Sequence, residues 1–170
     1  MAVLTNYSTP NDTDWWTITE SIRIAQSFQI STAAVVNSAT LRTAGAAANT
    51  TGLEISIQTN NSGTPSGTLA GANLIGTIST ITDTAFNTRS VNFGGGNQLL
   101  ANTTYWLTGK SDSETGTQSN RWSADGAGSY TNGNVDSRDT GGSWTPQTLY
   151  DNWFTVEGPD LSSGLQNKYW

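Results

Sequence analysis

Catalysis by this sequence would have to rely on its carboxylates. The 170 residues include no histidine and no cysteine, which excludes Ser-His-Asp triads, Cys-His pairs and metal sites built on imidazole or thiolate. A pair of carboxylates, as glycosidases use, is the arrangement that is left. The four glutamates, Glu20, Glu54, Glu114 and Glu157, are scattered, and no acid pair recurs at a spacing of two within one predicted strand. We therefore predict no catalytic residue and no enzymatic activity.

Acidic residues in the glycine-rich stretch 109–142 could instead bind calcium, which takes carboxylate and carbonyl oxygens. These residues are Asp112, Glu114, Asp125, Asp136 and Asp139. No segment matches the twelve-residue calcium loop with its terminal glutamate, and Asp is an ordinary turn residue. We predict no metal site and no cofactor, and a structural calcium is the open alternative.

Aromatic residues are the second group whose chemistry indicates binding, because exposed rings stack on sugars and also dominate protein interfaces. The seven tryptophans are Trp15, Trp16, Trp106, Trp122, Trp144, Trp153 and Trp170. Trp106 and Trp153 fall within predicted strands, which favours a packing role. Trp122, Tyr130 and Trp144 lie in or beside the stretch 109–142. They are the candidate glycan-binding residues, with core packing as the alternative.

The charge balance limits the partners. Thirteen acidic residues against seven basic ones give a net charge of −6, and the basic residues form no cluster. Nucleic-acid binding and adsorption to anionic membranes are therefore not expected. The sequence has no apolar run of spanning length, and its first residues, MAVLTNYSTPNDTDWW, lack the pattern of a signal peptide. We expect a protein that is made without an export signal.

Alternation of apolar and polar residues predicts an all-β fold. In SIRIAQSFQI, Ile22, Ile24, Phe28 and Ile30 share one face, which Gln26 interrupts. VVNSATLRT, LEISIQT, TTYWLTG and DNWFTVEG show the same period of two, and NLIGTISTI and residues 85–93 show it more weakly. Gly, Asn and Ser clusters separate these segments, which predicts an antiparallel β-sandwich or jelly roll of about eight strands. The stretch 109–142 predicts long loops with one or two short strands.

The phase of each predicted strand indicates which side chains face the core. Val35 is assigned to the same face as Ala39 and Leu41, and Glu54 to the solvent face of its strand. The residues expected to point inward are Phe28, Leu41, Ile55, Ile57, Leu107, Phe154 and Val156.

The segment NNSGTPSGTL, residues 60–69, could be read as a phosphate-binding loop or as a turn. A phosphate-binding loop feeds a helix and usually ends in lysine, whereas this segment has no lysine and precedes another β pattern. Gly63 and Gly67 can adopt positive φ, and Pro65 favours a turn. We predict a connection between strands.

Several of these segments together resemble a known family. AQSFQI, ATLRT, LEISIQTNNSGTPSGTL, LLANTTYWLTG and DNWFTVEG are similar in order and spacing to the choice-of-anchor R modules and related β-sandwich modules of bacterial surface proteins and bacteriophage virion proteins. The resemblance covers about residues 22–158. It implies a jelly-roll-like, non-catalytic module that serves as an adhesive or structural appendage. It implies no catalytic residue.

The predicted organisation is one domain, 1–158, with an N-terminal lead-in, 1–20, and a C-terminal tail, 159–170. The tail, PDLSSGLQNKYW, has too few apolar residues for a core of its own. Its larger side chains, Leu161, Leu165, Tyr169 and Trp170, are expected to dock into a groove of a neighbouring protein, or alternatively of the same sandwich.

Two classes of function follow as expectations. The first is a bacteriophage virion structural protein, either a capsid decoration protein or a tail or fibre component. It would be made in the host cytoplasm, bind other virion proteins, and form a homo-oligomer or symmetric array. The alternative is a carbohydrate-binding adhesive module that recognises host or surface glycans.

Overall fold

The computed structural model describes residues 2–8, 12, 14–46, 49–112, 119–127, 130–139 and 141–159. Within these residues the chain forms strands and no helix, so the all-β prediction is confirmed. There are sixteen strands rather than about eight. The additional strands include β4, β10 and β15, which are only two residues long and therefore leave no alternation in the sequence. They are β1 (Ala2–Tyr7), β2 (Asp14–Ile18), β3 (Ile22–Phe28), β4 (Ala34–Val35), β5 (Ser38–Gly45), β6 (Leu53–Asn61), β7 (Thr64–Leu69), β8 (Ile75–Ile78), β9 (Asn87–Asn92), β10 (Gln98–Leu99), β11 (Tyr105–Ser111), β12 (Asn120–Asp125), β13 (Val135–Asp139), β14 (Thr145–Gln147), β15 (Asp151–Asn152) and β16 (Phe154–Gly158).

Two antiparallel seven-stranded sheets form the sandwich. The first sheet has the order β1-β16-β5-β12-β15, with β2 beside β12 and β9 beside β5. The second sheet has the order β14-β13-β3-β11-β6-β7, with β8 beside β6. Strands β4 and β10 form a separate pair. The pairs β13–β3, β3–β11 and β11–β6 therefore join strands from distant parts of the sequence, whereas β6–β7 and β13–β14 are neighbours along the chain.

The core lies between the sheets and follows the predicted strand phases. All seven residues expected to point inward are fully buried: Phe28, Leu41, Ile55, Ile57, Leu107, Phe154 and Val156. Glu54 lies on the opposite face of β6, where it is half-buried and ion-paired with Lys110. The phase of Val35 was predicted wrongly. Val35 is half-buried and Val36 is fully buried, because Val35 belongs to β4, which pairs with β10, whereas Ala39 and Leu41 belong to β5 of the first sheet, so the alternation does not continue from one strand to the other.

The interruption of the β3 pattern at Gln26 has a structural reason. This side chain is fully buried, and its Oε1 accepts a hydrogen bond from the backbone N–H of Asn152 in the first sheet. Its Nε2 donates to the carbonyl oxygens of Ser27 and Asn134. A polar side chain is tolerated in the core here because its amide is hydrogen-bonded at both ends.

The first twenty residues are more than a lead-in. Strand β1 pairs with β16, and β2 pairs with β12, so both strands belong to the first sheet. Ile18 is fully buried and Tyr7 is nearly so. At the other end, Leu161, Leu165, Tyr169 and Trp170 lie outside the described residues, and their predicted docking stays a prediction.

The segment NNSGTPSGTL connects strands, as predicted. Ser62 and Gly63 both have positive φ (53° and 94°), which is the geometry of a two-residue turn in a tight β-hairpin. Pro65 lies in the return strand β7 rather than in the turn. Gly67 (φ 80°) is at an irregularity in the pairing of β6 with β7. The segment is therefore a hairpin that closes one edge of the second sheet.

Candidate functional site

The outer face of the second sheet carries the clearest cluster of charged and aromatic side chains. The outer face means the side of β3, β6, β11 and β13 that points away from the core. Alternation places Arg23, Lys110 and Glu54 there, because their neighbours Ile24, Ser111 and Ile55 are buried. Arg138 shares this face because it is paired directly with Arg23. These four residues come from four different strands that the sheet order makes adjacent.

The register of the strands places these charges side by side. Arg138 of β13 is directly opposite Arg23 of β3, and Lys110 of β11 is directly opposite Glu54 of β6. Lys110 Nζ is 3.0 Å from Glu54 Oε1. The two arginines have no carboxylate partner among the described residues. One half of this row is therefore an ion pair, and the other half is a pair of like charges.

Arg138 also packs against Trp144, the residue that precedes β14. The Cζ atom of Arg138 lies 4.9 Å from the centroid of the Trp144 ring, which is a cation–π contact. Burial, followed by the positive charge of Arg23, lowers the pKa of Arg138. The Nε atoms of Arg23 and Arg138 are both buried and without a hydrogen-bond partner in the described part of the chain. The guanidinium groups therefore retain unused donors.

A cleft of about 260 Å³ opens above this row of charges. Its floor is a hydrogen-bonded trio in which the hydroxyls of Ser56 and Thr108 are 2.6 Å apart and Gln58 donates to both. Trp144 lines the cleft, as do Leu69 and Ile75, and Ile75 is 41% exposed. The cleft thus combines apolar surface, a hydroxyl-rich floor and three cationic side chains. We call it the Trp144 cleft.

A second hollow lies farther along the same face. Its lining includes Trp106, Asn60 and Tyr130. Trp106 is almost fully buried and its Nε1 donates to Asn60 Oδ1 at 2.9 Å, so this indole is already engaged. Tyr130 packs its ring against Tyr7 and Phe154, and burial raises the pKa of its hydroxyl. This hollow offers fewer unused polar groups than the Trp144 cleft.

The structure separates the three residues that the sequence suggested for glycan binding. Trp122 is fully buried in β12, and its Nε1 donates to the carbonyl oxygen of Trp153 at 2.7 Å. The suggestion that Trp122 contacts a glycan is therefore wrong, because its ring is part of the core. Tyr130 lines the second hollow and Trp144 lines the first cleft, so these two residues do not share one site.

The sequence did not indicate Arg23, Arg138 or Lys110 as site residues. Alternation could have placed Arg23 on an outer face, but only the pairing of β3 with β13 brings it beside Arg138. No pattern in a single segment reports that pairing. Arg138 and Trp144 are six positions apart on either side of a turn, and the cation–π contact depends on the fold of that turn.

Of the acidic residues considered for calcium, Asp125 lies in β12 and Asp136 and Asp139 lie in β13, whereas Glu114 lies outside the described residues. Asp136 is 1% exposed, its Oδ2 has no partner among the described residues, and burial raises its pKa to about 6. Asp125 lies opposite Asp151, and burial, with the charge of Asp125 as a smaller cause, raises the pKa of Asp151. In the described ranges, no group of three or more acidic residues is placed to hold a metal ion.

Comparison with known proteins adds no assignment. No model of a protein family matches the chain, and no curated protein matches it. The resemblance to choice-of-anchor R modules therefore stays a prediction. In the part of the chain that the structure describes, no helix has the length and apolar character needed to cross a bilayer.

Proposed function

We propose that this chain is a non-enzymatic structural protein of a bacteriophage particle, either a capsid decoration protein or a tail or fibre component that binds other virion proteins. The position of the family-like segments supports this proposal. AQSFQI, LEISIQTNNSGTPSGTL and LLANTTYWLTG contribute β3, β6–β7 and β11, which are adjacent in the second sheet. ATLRT and DNWFTVEG contribute β5 and β16, which are paired in the first. The resemblance therefore rests on the framework of both sheets.

The environment of the carboxylates supports a non-enzymatic role. Among the described residues, Glu54 is the only acidic residue lining the Trp144 cleft, and none lines the second hollow. Acid–base catalysis without histidine needs two carboxylates facing one substrate. Neither of these two clefts provides such a pair.

Mass spectrometry of purified particles tests the virion proposal. The chain should be present in particles from a host that expresses the gene, at a copy number that matches a symmetric array. A copy number equal to that of the major capsid protein, or a fixed fraction of it, would identify a decoration protein, and a few copies would identify a tail component. Absence of the chain from intact particles would contradict the proposal.

A second candidate function, carbohydrate binding, is favoured by the Trp144 cleft. Sugar-binding sites commonly combine an aromatic ring with planar polar side chains, since the ring packs on C–H groups while the polar groups bind hydroxyls. Trp144, Arg138 and Gln58 provide this combination in one cleft. The two proposals are compatible, because an appendage of a particle can also bind glycans.

A glycan array tests the second candidate. The purified protein should bind a subset of glycans, and Trp144→Ala should abolish that binding. Trp153→Ala is the control, since Trp153 is a half-buried tryptophan between β15 and β16 that lines neither the Trp144 cleft nor the second hollow. Equal loss in both variants would contradict a site at the Trp144 cleft.

A further inference from the structure

We propose that the Trp144 cleft binds the carboxylate group of an acidic sugar through Arg23 and Arg138. The inference rests on the carbohydrate-binding candidate and adds the class of ligand. A carboxylate is a planar anion that accepts two parallel hydrogen bonds from a guanidinium group. The cleft provides two guanidinium groups from neighbouring strands.

The first argument is the cost of placing the two arginines opposite each other. Like charges at directly opposed positions of an antiparallel pair are unfavourable. Arg23 and Arg138 occupy such positions, and Glu54, the acidic residue of the same row, is ion-paired with Lys110 instead. An anion bound between the two arginines would remove this repulsion. Local violations of folding rules of this kind are typical of functional sites.

The second argument is the unused hydrogen-bonding capacity. Both arginine Nε atoms are buried and unpartnered among the described residues, although buried polar atoms are nearly always hydrogen-bonded. Asp136, on the same face of β13, is 1% exposed and also has an unpartnered carboxylate oxygen, Oδ2. Neither arginine forms an ion pair with it. The described residues thus leave part of the hydrogen-bonding capacity of both guanidinium groups unused, while the Nε atoms themselves are enclosed and a ligand would meet the groups from the cleft that both arginines line.

The third argument is the local charge. Arg23, Arg138 and Lys110 against Glu54 give the cleft a local excess of positive charge, whereas the whole chain has a net charge of −6. A neutral sugar would not need this excess. A simple inorganic anion would not need the Trp144 ring or the hydroxyl floor formed by Ser56 and Thr108. A sugar that carries a carboxylate uses all three features.

The test compares each acidic sugar with the same sugar whose carboxylate is neutralised. Isothermal titration calorimetry would measure 3′-sialyllactose and trigalacturonate, each against its carboxyl methyl ester, with inorganic phosphate as the anion without a sugar. At least one acidic sugar should bind about 10-fold or more tightly than its neutral counterpart, because charge-assisted hydrogen bonds are stronger than neutral ones. Its affinity should fall as the NaCl concentration rises.

Two variants and one control test whether the preference for the acidic sugar arises in the Trp144 cleft. Arg23→Gln and Arg138→Gln should each weaken binding of the acidic sugar by about 10-fold or more without affecting that of the neutral one. Arg121→Gln is the matched control, since Arg121 packs on Trp15 at 5.0 Å, as Arg138 packs on Trp144 at 4.9 Å. Thermal unfolding should show Arg23→Gln at least as stable as the wild type, because the substitution removes a like-charge contact.

The other outcomes distinguish the acidic-sugar inference from the carbohydrate-binding candidate. Equal affinity for acidic and neutral sugars, lost in Trp144→Ala, would overturn the acidic-sugar inference and leave the carbohydrate-binding candidate in place. Binding of phosphate as tightly as any acidic sugar would overturn the inference in favour of a small-anion site. Binding of none of the sugars would overturn both. The virion proposal is independent of all three outcomes, because mass spectrometry of particles tests it.

Discussion

The side-chain oxygen of Gln26 accepts a hydrogen bond from the backbone N–H of Asn152 over 2.6 Å and joins the two sheets through the core. Both residues are fully buried. The bond satisfies a backbone donor that water cannot reach, which explains why a polar residue interrupts the apolar face of β3.

Replacing Gln26 by leucine should therefore destabilise the protein despite the gain in apolar character. The variant leaves the Asn152 N–H unpartnered, which costs about 1–3 kcal/mol. Urea unfolding followed by tryptophan fluorescence would measure the change. Gln29→Leu is the control, because Gln29 is only half-buried and donates to the Thr104 hydroxyl instead. Equal stability of Gln26→Leu and wild type would contradict the role of this bond.

Ile55→Ala tests the core. Ile55 is fully buried between the sheets, and removing its side-chain atoms should lower the free energy of unfolding by about 2–5 kcal/mol. Ile75→Ala, a substitution of the same size at a side chain that is 41% exposed, should cost much less. A similar loss in both variants would mean that burial does not determine the effect.

Asp136→Asn should change how stability depends on pH. Burial raises the pKa of Asp136 to about 6 from the ordinary 3.8, so the folded protein holds this proton more tightly than the unfolded chain does. The stabilisation by that proton is complete below about pH 4 and is lost as the pH rises through about 6. The variant should therefore be more stable than the wild type at pH 7.5, and the difference should disappear towards pH 4.

Asp12→Asn provides the opposite case. The hydrogen bonds from Arg42 lower the pKa of Asp12. The ionised carboxylate of Asp12 therefore stabilises the folded protein at neutral pH, and this stabilisation is lost as the pH falls through the pKa of the folded state. This variant should be less stable than the wild type at pH 7.5. Melting temperatures of both variants across pH 4–7.5 would give the two signs, and the same sign in both would contradict the assignment.

Gly158→Ala should disturb the contact between the end of β16 and the end of β4. A Cβ at Gly158 would overlap the carbonyl oxygen of Val35, so one of the two backbones must shift. We expect a loss of about 1–3 kcal/mol in thermal or urea unfolding. Gly95→Ala, where a Cβ would have no neighbour within 4 Å, should be close to neutral.

Removal of residues 159–170 tests the predicted docking tail. The truncated chain should remain folded, because it keeps every strand of the described residues, the last of which, β16, ends at Gly158. It should no longer bind the particle if the tail is the attachment segment. Circular dichroism and a co-sedimentation assay with particles would measure the two properties. Unfolding would show that the tail belongs to the fold, and full binding would show that attachment lies elsewhere.

The sequence predicted the sheets better than it predicted the site. Alternation identified β3, β6, β11 and β16 and their inward residues, because burial of one face leaves a period of two in the sequence. It missed β1 and β2, whose residues are mostly half-buried or exposed and alternate weakly. Trp122 seemed to belong to a loop because its neighbours in β12 are polar. The fold buries the ring by placing β12 between β2 and β5.

The Trp144 cleft could not be predicted for a different reason. It depends on the pairing of β3 with β13 and of β11 with β6, and each pairing joins segments that are far apart in sequence. The two arginines carry no local signal that they will become neighbours. Only the sheet order makes them so.

The prolines of the second sheet limit how copies of this protein can associate. Two of its edge strands, β7 and β14, contain Pro65 and Pro146 respectively. A proline removes a donor from the edge that an added strand would need, and it is a known protection against edge-to-edge aggregation. Growth of the sheet from one molecule into the next through β7 or β14 is therefore disfavoured. Dense packing of many copies should occur through sheet faces and loops, which would let them crowd together without forming fibrils.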